Sequence, residues 1–155
     1  MIKLKKAHTS RDFEEARALF EEYAAGLPLD DLEFQNFSAE LGHLKSLYSP
    51  PEGRLLLARW SGELVGCVAL RRIADSVCEM KRMYVKSSFR GEGLGRRLAL
   101  EIIAEAKRMG YGRMRLDTLP SMKQAQELYK SLGFKIIEPY YNSPIEGMLF
   151  MEIHL

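Results

Sequence analysis

Apolar and polar positions along this chain switch between two periods. Ile2–Lys6 alternates apolar and basic residues, the pattern of a short strand. After Thr9 the period lengthens. Phe13, Ala16, Leu19, Phe20 and Tyr23 recur at helical spacing and give one apolar stripe. Thr9 and Asp12 form a capping-box variant at the start of this helix, and Gly26 and Pro28 stop it. A second, less periodic helix is expected between Asp30 and Leu47, before the turn cluster Ser49-Pro50-Pro51-Glu52-Gly53. Arg54–Trp60 and Glu63–Arg71 are apolar-rich runs joined by Ser61-Gly62, as in a hairpin, and Val77–Val85 reads as a third strand. A helix from Gly93 to Met109 follows. Its buried stripe is Leu94, Leu98, Ile102 and Ala106, and Gly110 ends it. Met114–Thr118 is a short strand. Ser121 with Gln124 predicts a capped helix carrying Ala125, Leu128, Tyr129 and Leu132, ended by Gly133. Phe134–Ile137 and Met148–Leu155 complete the set as strands.

The order is β-α-α-β-β-β-α-β-α-β-β. Strands on either side of the Gly93–Met109 helix imply one parallel pairing through a crossover. The expected class is α/β, with a three-layer α/β/α arrangement. A length of 155 residues suits a single domain spanning 1–155, large enough to bury about 70% of its unfolded surface. A hydrophobic content of 46% with 28% charged residues excludes disorder, collagen-like repeats and a disulfide scaffold. Cys67 and Cys78 lack CxxC spacing and are expected to be reduced core thiols. No apolar run has the length of a signal peptide or a membrane span, so cytoplasmic residence without a membrane partner is expected. The net charge of +2 argues against a nucleic-acid partner.

Candidate chemistry concentrates at Arg90-Gly91-Glu92-Gly93-Leu94-Gly95-Arg96-Arg97, between a strand and a helix. Glycines at alternate positions leave backbone N–H groups unshielded, and the helix N-terminus adds partial positive charge. Arginine in a first helical turn opposes the helix dipole, and a bound polyanion would offset that. The turn satisfies neither the Rossmann fingerprint, because position 96 is arginine, nor the P-loop, which needs Gly-Lys-Ser/Thr.

The spacing Arg90-x-x-Gly93-x-Gly95 resembles the acetyl-CoA pyrophosphate loop of the GCN5-related N-acetyltransferase (GNAT) superfamily. Glu79–Val85 is similar to that family's fourth strand. Ala125-Gln126-Glu127-Leu128-Tyr129 and Leu132-Gly133-Phe134 are similar to its second signature. The motif-bearing stretch is about residues 62–137, half the chain. The resemblance implies a GNAT-like fold around a mixed, mostly antiparallel, twisted sheet. It implies acetyl transfer from acetyl-CoA to a primary amine by direct attack, with acetyl-CoA as co-substrate and no metal. Met83, Tyr84 and Val85 would run beside the pantetheine arm. Gly91, Glu92, Gly93, Leu94, Gly95 and Arg96 would hold the pyrophosphate, with Arg90 nearby. Tyr129 would protonate the departing thiolate. Many members carry Asn where this chain has Met122, a departure in the cofactor pocket. Homodimers are common in the family.

Glu79 lies six residues before Val85, the spacing of the catalytic glutamate in histone-acetylating members. Strict alternation would put Glu79, Lys81, Met83 and Val85 on one face. Glu79 is therefore a candidate base, a candidate anchor for the substrate ammonium, or half of an ion pair with Lys81, Arg82 or another arginine. Tyr129 is a candidate acid or a core aromatic. Cys78 has no histidine near in sequence, and His8, His43 and His154 lack metal-ligand spacing. Glu138-Pro139-Tyr140-Tyr141-Asn142-Ser143-Pro144-Ile145 is a stiffened loop resembling a segment found in a subgroup of bacterial members. Tyr140, Tyr141 and Asn142, with Asp117 and Thr118 at a strand end, are candidate acceptor-binding residues.

The acceptor would be a small-molecule or peptide amine. A competing reading is a non-catalytic CoA-binding regulatory or interaction module, against which retention of Glu79 and Tyr129 weighs. Charge refines the picture. Residues 79–97 carry six basic and two acidic residues, so the rest of the chain is mildly acidic. An acidic acceptor side, suited to a cationic amine, is the resulting expectation.

Overall fold

Among the described residues seven strands form one sheet, in the order β1-β2-β3-β4-β5-β7-β6. The structure, a computed structural model, describes residues 1–27, 31–143 and 145–155, so the expectations for Pro28, Asp30 and Pro144 lie outside the described residues. The strands are β1 (Ile2–Lys6), β2 (Arg54–Trp60), β3 (Glu63–Ala74), β4 (Val77–Val85), β5 (Arg113–Thr118), β6 (Lys135–Ile137) and β7 (Leu149–His154). The helices are α1 (Ser10–Ala25), α2 (Asp31–Leu41), α3 (Leu44–Leu47), α4 (Leu94–Arg108) and α5 (Lys123–Ser131). The β4–β5 pairing is parallel, across the α4 crossover, and the others are antiparallel. The expected element order therefore stands, with the second helix broken into two at Gly42-His43.

The sheet divides two apolar cores. On one face Leu55, Leu57, Cys67 and Ala69 meet Phe13, Ala16, Leu19 and Phe20 of α1 and Leu44 of α3. On the other, Leu56, Ala58, Val68 and Leu70 meet the predicted α4 stripe and Tyr129 of α5. Alternate β2 side chains thus feed opposite layers, as the two-residue period of a strand requires. Among the described residues no helix is long and apolar enough to cross a membrane.

Two end caps behave differently from each other. Thr9 accepts the Asp12 amide at 3.0 Å and Asp12 accepts the Thr9 amide at 3.1 Å, so the capping box of α1 is real. The Asp12 carboxylate is buried, a cost outweighed by the His8 and Thr9 amides and by Lys5, and its pKa falls well below the usual range. The box predicted at Ser121 does not form. The N-cap of α5 is Met122, without a side-chain hydrogen bond, and Gln124 is exposed. Gln126 is buried instead and donates to the Leu119 carbonyl at 2.9 Å.

Two compensating bulges set the register of β3 against β4. Ala74 pairs with Val77, but Arg72 pairs with Cys78 and Arg71 with Glu79, so one residue of β3 is extra near Ile73. Ala69 pairs with Lys81 and Cys67 with Tyr84, so one residue of β4 is extra beside Arg82. Arg82 has φ +56°, the left-handed geometry of a bulge residue.

Candidate active site

The bulge at Arg82 has two effects. It exchanges the faces of β4. Cys78 and Met80 lie in the α4-side core before it, and Met83 and Val85 pack on that same core after it. Tyr84 instead packs toward α1, its ring 5.8 Å edge-on from Tyr23 and its hydroxyl 2.6 Å from Glu22. Glu79 and Lys81 therefore do not share a face with Met83 and Val85, as strict alternation had suggested. The second effect concerns β5. The β4–β5 pairing covers Val77–Glu79 against Arg113–Arg115 and then ends. The strands part beyond it, leaving the β5-side edge of Lys81–Val85 open to an extended ligand.

At one end of this cleft stands the N-terminus of α4. Gly91 and Gly93 have φ +85° and +78°, and a Cβ on either would meet nothing within 4 Å. Their glycines answer a backbone need. Gly95 differs, because its φ is ordinary and a Cβ there would sit 3.7 Å from Leu128. Gly93 caps the helix without any side-chain bond, so Gly91, Glu92, Leu94, Gly95 and Arg96 present amides beside an uncapped helix end. Arg90 is placed by its Nε bond of 2.9 Å to the Val85 carbonyl and lies over the Tyr84 ring. Arg96 reaches Ser131 at 3.0 Å, whereas Arg97 turns toward the Ile2 carbonyl at 3.4 Å.

Two cavities open between β4 and β5. A small one of about 90 Å³ is lined by Met80, Lys81, Met83, Asp117, Thr118, Met122 and Tyr129, among others. It adjoins one of about 1040 Å³ walled by β3, β4, β5, α2 and the Tyr140–Tyr141 loop. Tyr23, Lys81, Arg82, Asp117, Thr118 and Met122 border both. Tyr129 is 6% exposed and packs edge-on to Phe134 at 5.7 Å. Burial, with small contributions from Tyr23 and Asp117, raises its pKa, so the phenol stays protonated. The Thr118 hydroxyl is buried without a hydrogen-bond partner among the described residues.

Glu79 is 2% exposed at the floor of the larger cavity. Its Oε1 accepts from Arg71 Nε at 3.1 Å and lies 3.9 Å from Lys81 Nζ, and its Oε2 accepts the Tyr140 hydroxyl at 2.6 Å. Burial and the adjacent Glu79 charge push the Tyr140 pKa far up, so that hydroxyl remains a donor. Tyr141 donates to Asp117 at 2.5 Å, and both tyrosine rings stack edge-on against Phe150. The loop thus both packs and projects two hydroxyls onto cavity carboxylates. Asn142 is exposed and outside the cavity lining. Cys78 is inert, its thiol pushed up to about 12 by burial.

The sequence pattern did not mark Arg71, Glu40, Arg82 and Arg115 as cavity residues. Arg82 pairs with Glu40 of α2, at 2.9 and 2.7 Å, rather than with Glu79. Glu40 is held below the usual carboxylate range, the cost of burial being exceeded by the Arg82 bonds. Arg115 pairs with Glu152 at 2.7 Å and lies over the Tyr140 ring. The described lining of the larger cavity contains Arg71, Lys81, Arg82 and Arg115 against Glu40, Glu79 and Asp117. The acidic acceptor wall expected from chain-wide charge is not what lines it.

The sequence profile described as "Acetyltransferase (GNAT) family" matches residues 8–134. An uncharacterised N-acetyltransferase of Schizosaccharomyces pombe is 39% identical, over 99% of this chain and 95% of that one. Another, of Dictyostelium discoideum, is 30% identical over 93% and 94%. Among solved structures, the PaiA N-acetyltransferase of Thermoplasma acidophilum in complex with coenzyme A superposes with a TM-score of 0.77 at 20% identity, covering 100% and 99% of the two chains. The chain belongs to the GNAT family, as an enzyme that transfers an acetyl group from acetyl-CoA to an amine.

Proposed function

We propose that acetyl-CoA lies in the β4–β5 cleft, with its pyrophosphate on the α4 amides, and that a small-molecule amine reaches it through the larger cavity. The observation that carries this reading is that the β4–β5 pairing ends at Glu79 and a cavity lined by Met83 of β4, Asp117 and Thr118 of β5 and Tyr129 opens beyond it. Met83, Tyr84 and Val85 offer backbone groups to the pantetheine arm as an added strand would. Arg90 stands beside the pyrophosphate.

The amine first gives up a proton, which Glu79 receives through solvent in the cavity. Its nitrogen lone pair then attacks the thioester carbonyl carbon. The C–N bond forms, the C–S bond breaks and sulfur leaves as a thiolate. The nitrogen sheds its second proton, through solvent, and the thiolate takes up a proton as CoA is released. The high pKa of Tyr129 makes full proton donation by that phenol uphill. Its contribution is an O–H···S⁻ hydrogen bond that strengthens as charge develops on sulfur. Asp117, Thr118, Tyr140 and Tyr141 shape the acceptor end. Asn142, at the rim of the same loop, meets only larger acceptors. The free, buried Cys67 and Cys78 suit a reducing compartment, which supports cytoplasmic residence.

Thiol release from acetyl-CoA over a panel of amines tests the reading, run beside Glu79→Gln. If Glu79 receives the proton, the variant flattens the acid limb of the pH–rate profile; an unmoved limb removes that role. Stabilisation by acetyl-CoA without thiol release from any acceptor would favour a binding module instead.

A further inference from the structure

We infer that the acceptor is an amine carrying its own carboxylate, a free amino acid, with Lys81 and Arg71 as carboxylate-binding residues and Asp117 at the ammonium. The inference rests on the cleft being an acetyl-transfer site. Matching each charge in the described lining of the larger cavity to its partner among the described residues leaves two over. Arg82 is engaged by both oxygens of Glu40, and Arg115 by Glu152. Glu79 is engaged by Arg71 through Oε1 and by Tyr140 through Oε2.

Lys81 is left over. Its side chain is 15% exposed, and the one carboxylate within 4 Å among the described residues is Glu79, at 3.9 Å, where Oε1 already accepts from Arg71. A half-buried ammonium on the cavity wall with so distant a partner leaves its donors available to an incoming carboxylate. Arg71 adds a guanidinium that is 42% exposed on the cavity side of the same carboxylate. Asp117 is the second. It receives a neutral hydroxyl from Tyr141 and no ion pair among the described residues.

These opposite charges stand on strands that have just parted, and both border the passage toward Tyr129. The orphaned Thr118 hydroxyl borders the same passage. A simple cationic amine would satisfy Asp117 alone. A zwitterion satisfies both ends and fixes which end reaches the thioester. The ammonium at Asp117 passes one proton through the cavity solvent to Glu79. Its nitrogen forms the amide bond as the C–S bond breaks and CoA leaves as thiolate. The second N–H proton goes through solvent to that thiolate, and the carboxylate, which loses no atoms, stays against Lys81.

The test uses matched triplets: an amino acid, its carboxamide and its decarboxylated amine, compared by thiol release and by thermal stabilisation of the enzyme–CoA complex. We expect kcat/KM for the free acid to exceed that of both partners by about tenfold or more, the worth of one charge-assisted hydrogen bond. Lys81→Met should remove most of that preference by raising KM for the acid, and Lys81→Arg should restore it. Equal use of acid, carboxamide and decarboxylated amine overturns the inference. So does an undiminished preference in Lys81→Met, or a preference for peptide N-termini. The stabilisation arm separates the two readings. Carboxylate-dependent stabilisation lost in Lys81→Met upholds the acceptor assignment even if thiol release fails. Thiol release with carboxylate-independent stabilisation upholds transfer and overturns the acceptor assignment.

Discussion

Tyr129 combines two properties that rarely coincide in a core aromatic. Its ring is packed against Phe134, and its hydroxyl end borders a small polar cavity. Replacing it with Phe keeps the packing and removes the proposed hydrogen bond to a developing thiolate. Such a bond to a charged group is worth about 1.5–3 kcal/mol, so kcat should fall about 10- to 100-fold with KM for acetyl-CoA nearly unchanged. Steady-state kinetics of Tyr129→Phe decide this, and an unchanged kcat would leave Tyr129 a packing residue. The glycines of the turn separate in a similar way. Gly93→Ala forces a Cβ into a left-handed cap, which costs about 1–2 kcal/mol, or a Tm about 2–8 °C lower. Gly95→Ala has ordinary helical geometry and room beside Leu128, so Tm should hold or rise by up to about 4 °C. The same methyl would stand over the amides proposed to face the pyrophosphate, and KM for acetyl-CoA should then rise. Thermal melts paired with KM measurements separate the two glycines. A Gly95→Ala enzyme with unaltered KM would show that the phosphates do not approach there.

At the scale of elements, the helix stripes, the α4 crossover and the glycine turn are legible in the sequence because each is local. Leu94, Leu98, Ile102 and Ala106 are all fully buried or nearly so, as their spacing predicts. The bulges in β3 and β4 are not legible, because they arise from how two strands fit each other. Without the first, Arg72 rather than Arg71 would face Glu79. Without the second, Met83 and Val85 would share the face of Glu79. The arginine that secures the second bulge is held from outside the sheet, by Glu40 of α2 and by the Phe37 ring beneath it. Both side chains of that pair are about nine-tenths buried, and removing one partner of such a pair typically costs about 3–5 kcal/mol. Glu40→Ala should therefore lower Tm substantially and also impair turnover, since the β4 edge is the proposed seat of the thioester. The pH dependence has a definite sign. The Glu40 pKa in the folded state lies below its ordinary 4.5, so its stabilisation is complete above that value and is lost as pH falls below it. Glu40→Gln should flatten the Tm–pH curve on that acid side. A curve parallel to the parent would show that the pair does not hold the bulge.

Across the whole molecule, the surplus of positive charge in residues 79–97 turns out to serve three different ends. Arg82 is consumed by Glu40, and Lys86 lies 3.8 Å from Glu22. Lys81 faces the larger cavity, the proposed acceptor site. Arg90, Arg96 and Arg97 remain exposed around the turn, each bonded to an uncharged oxygen and none in an ion pair among the described residues. The chain-wide balance of +2 conceals this division, because opposite charges far apart in space cancel in a sum but not in a field. Salt should therefore act unequally on the two substrates. Exposed arginines are screened as the Debye length shrinks from about 10 Å near 0.1 M to about 3 Å at 1 M, whereas a cation 15% exposed in a narrow passage is screened less. Raising the salt concentration across that range should increase KM for acetyl-CoA several-fold and change KM for an amino-acid acceptor much less. Initial rates at varied salt, with each substrate titrated in turn, measure both quantities. Equal increases would mean that the acceptor's charge is read at the surface and not at Lys81. Salt-independent KM for acetyl-CoA would mean that the α4 amides, without the surrounding arginines, carry the phosphate contact.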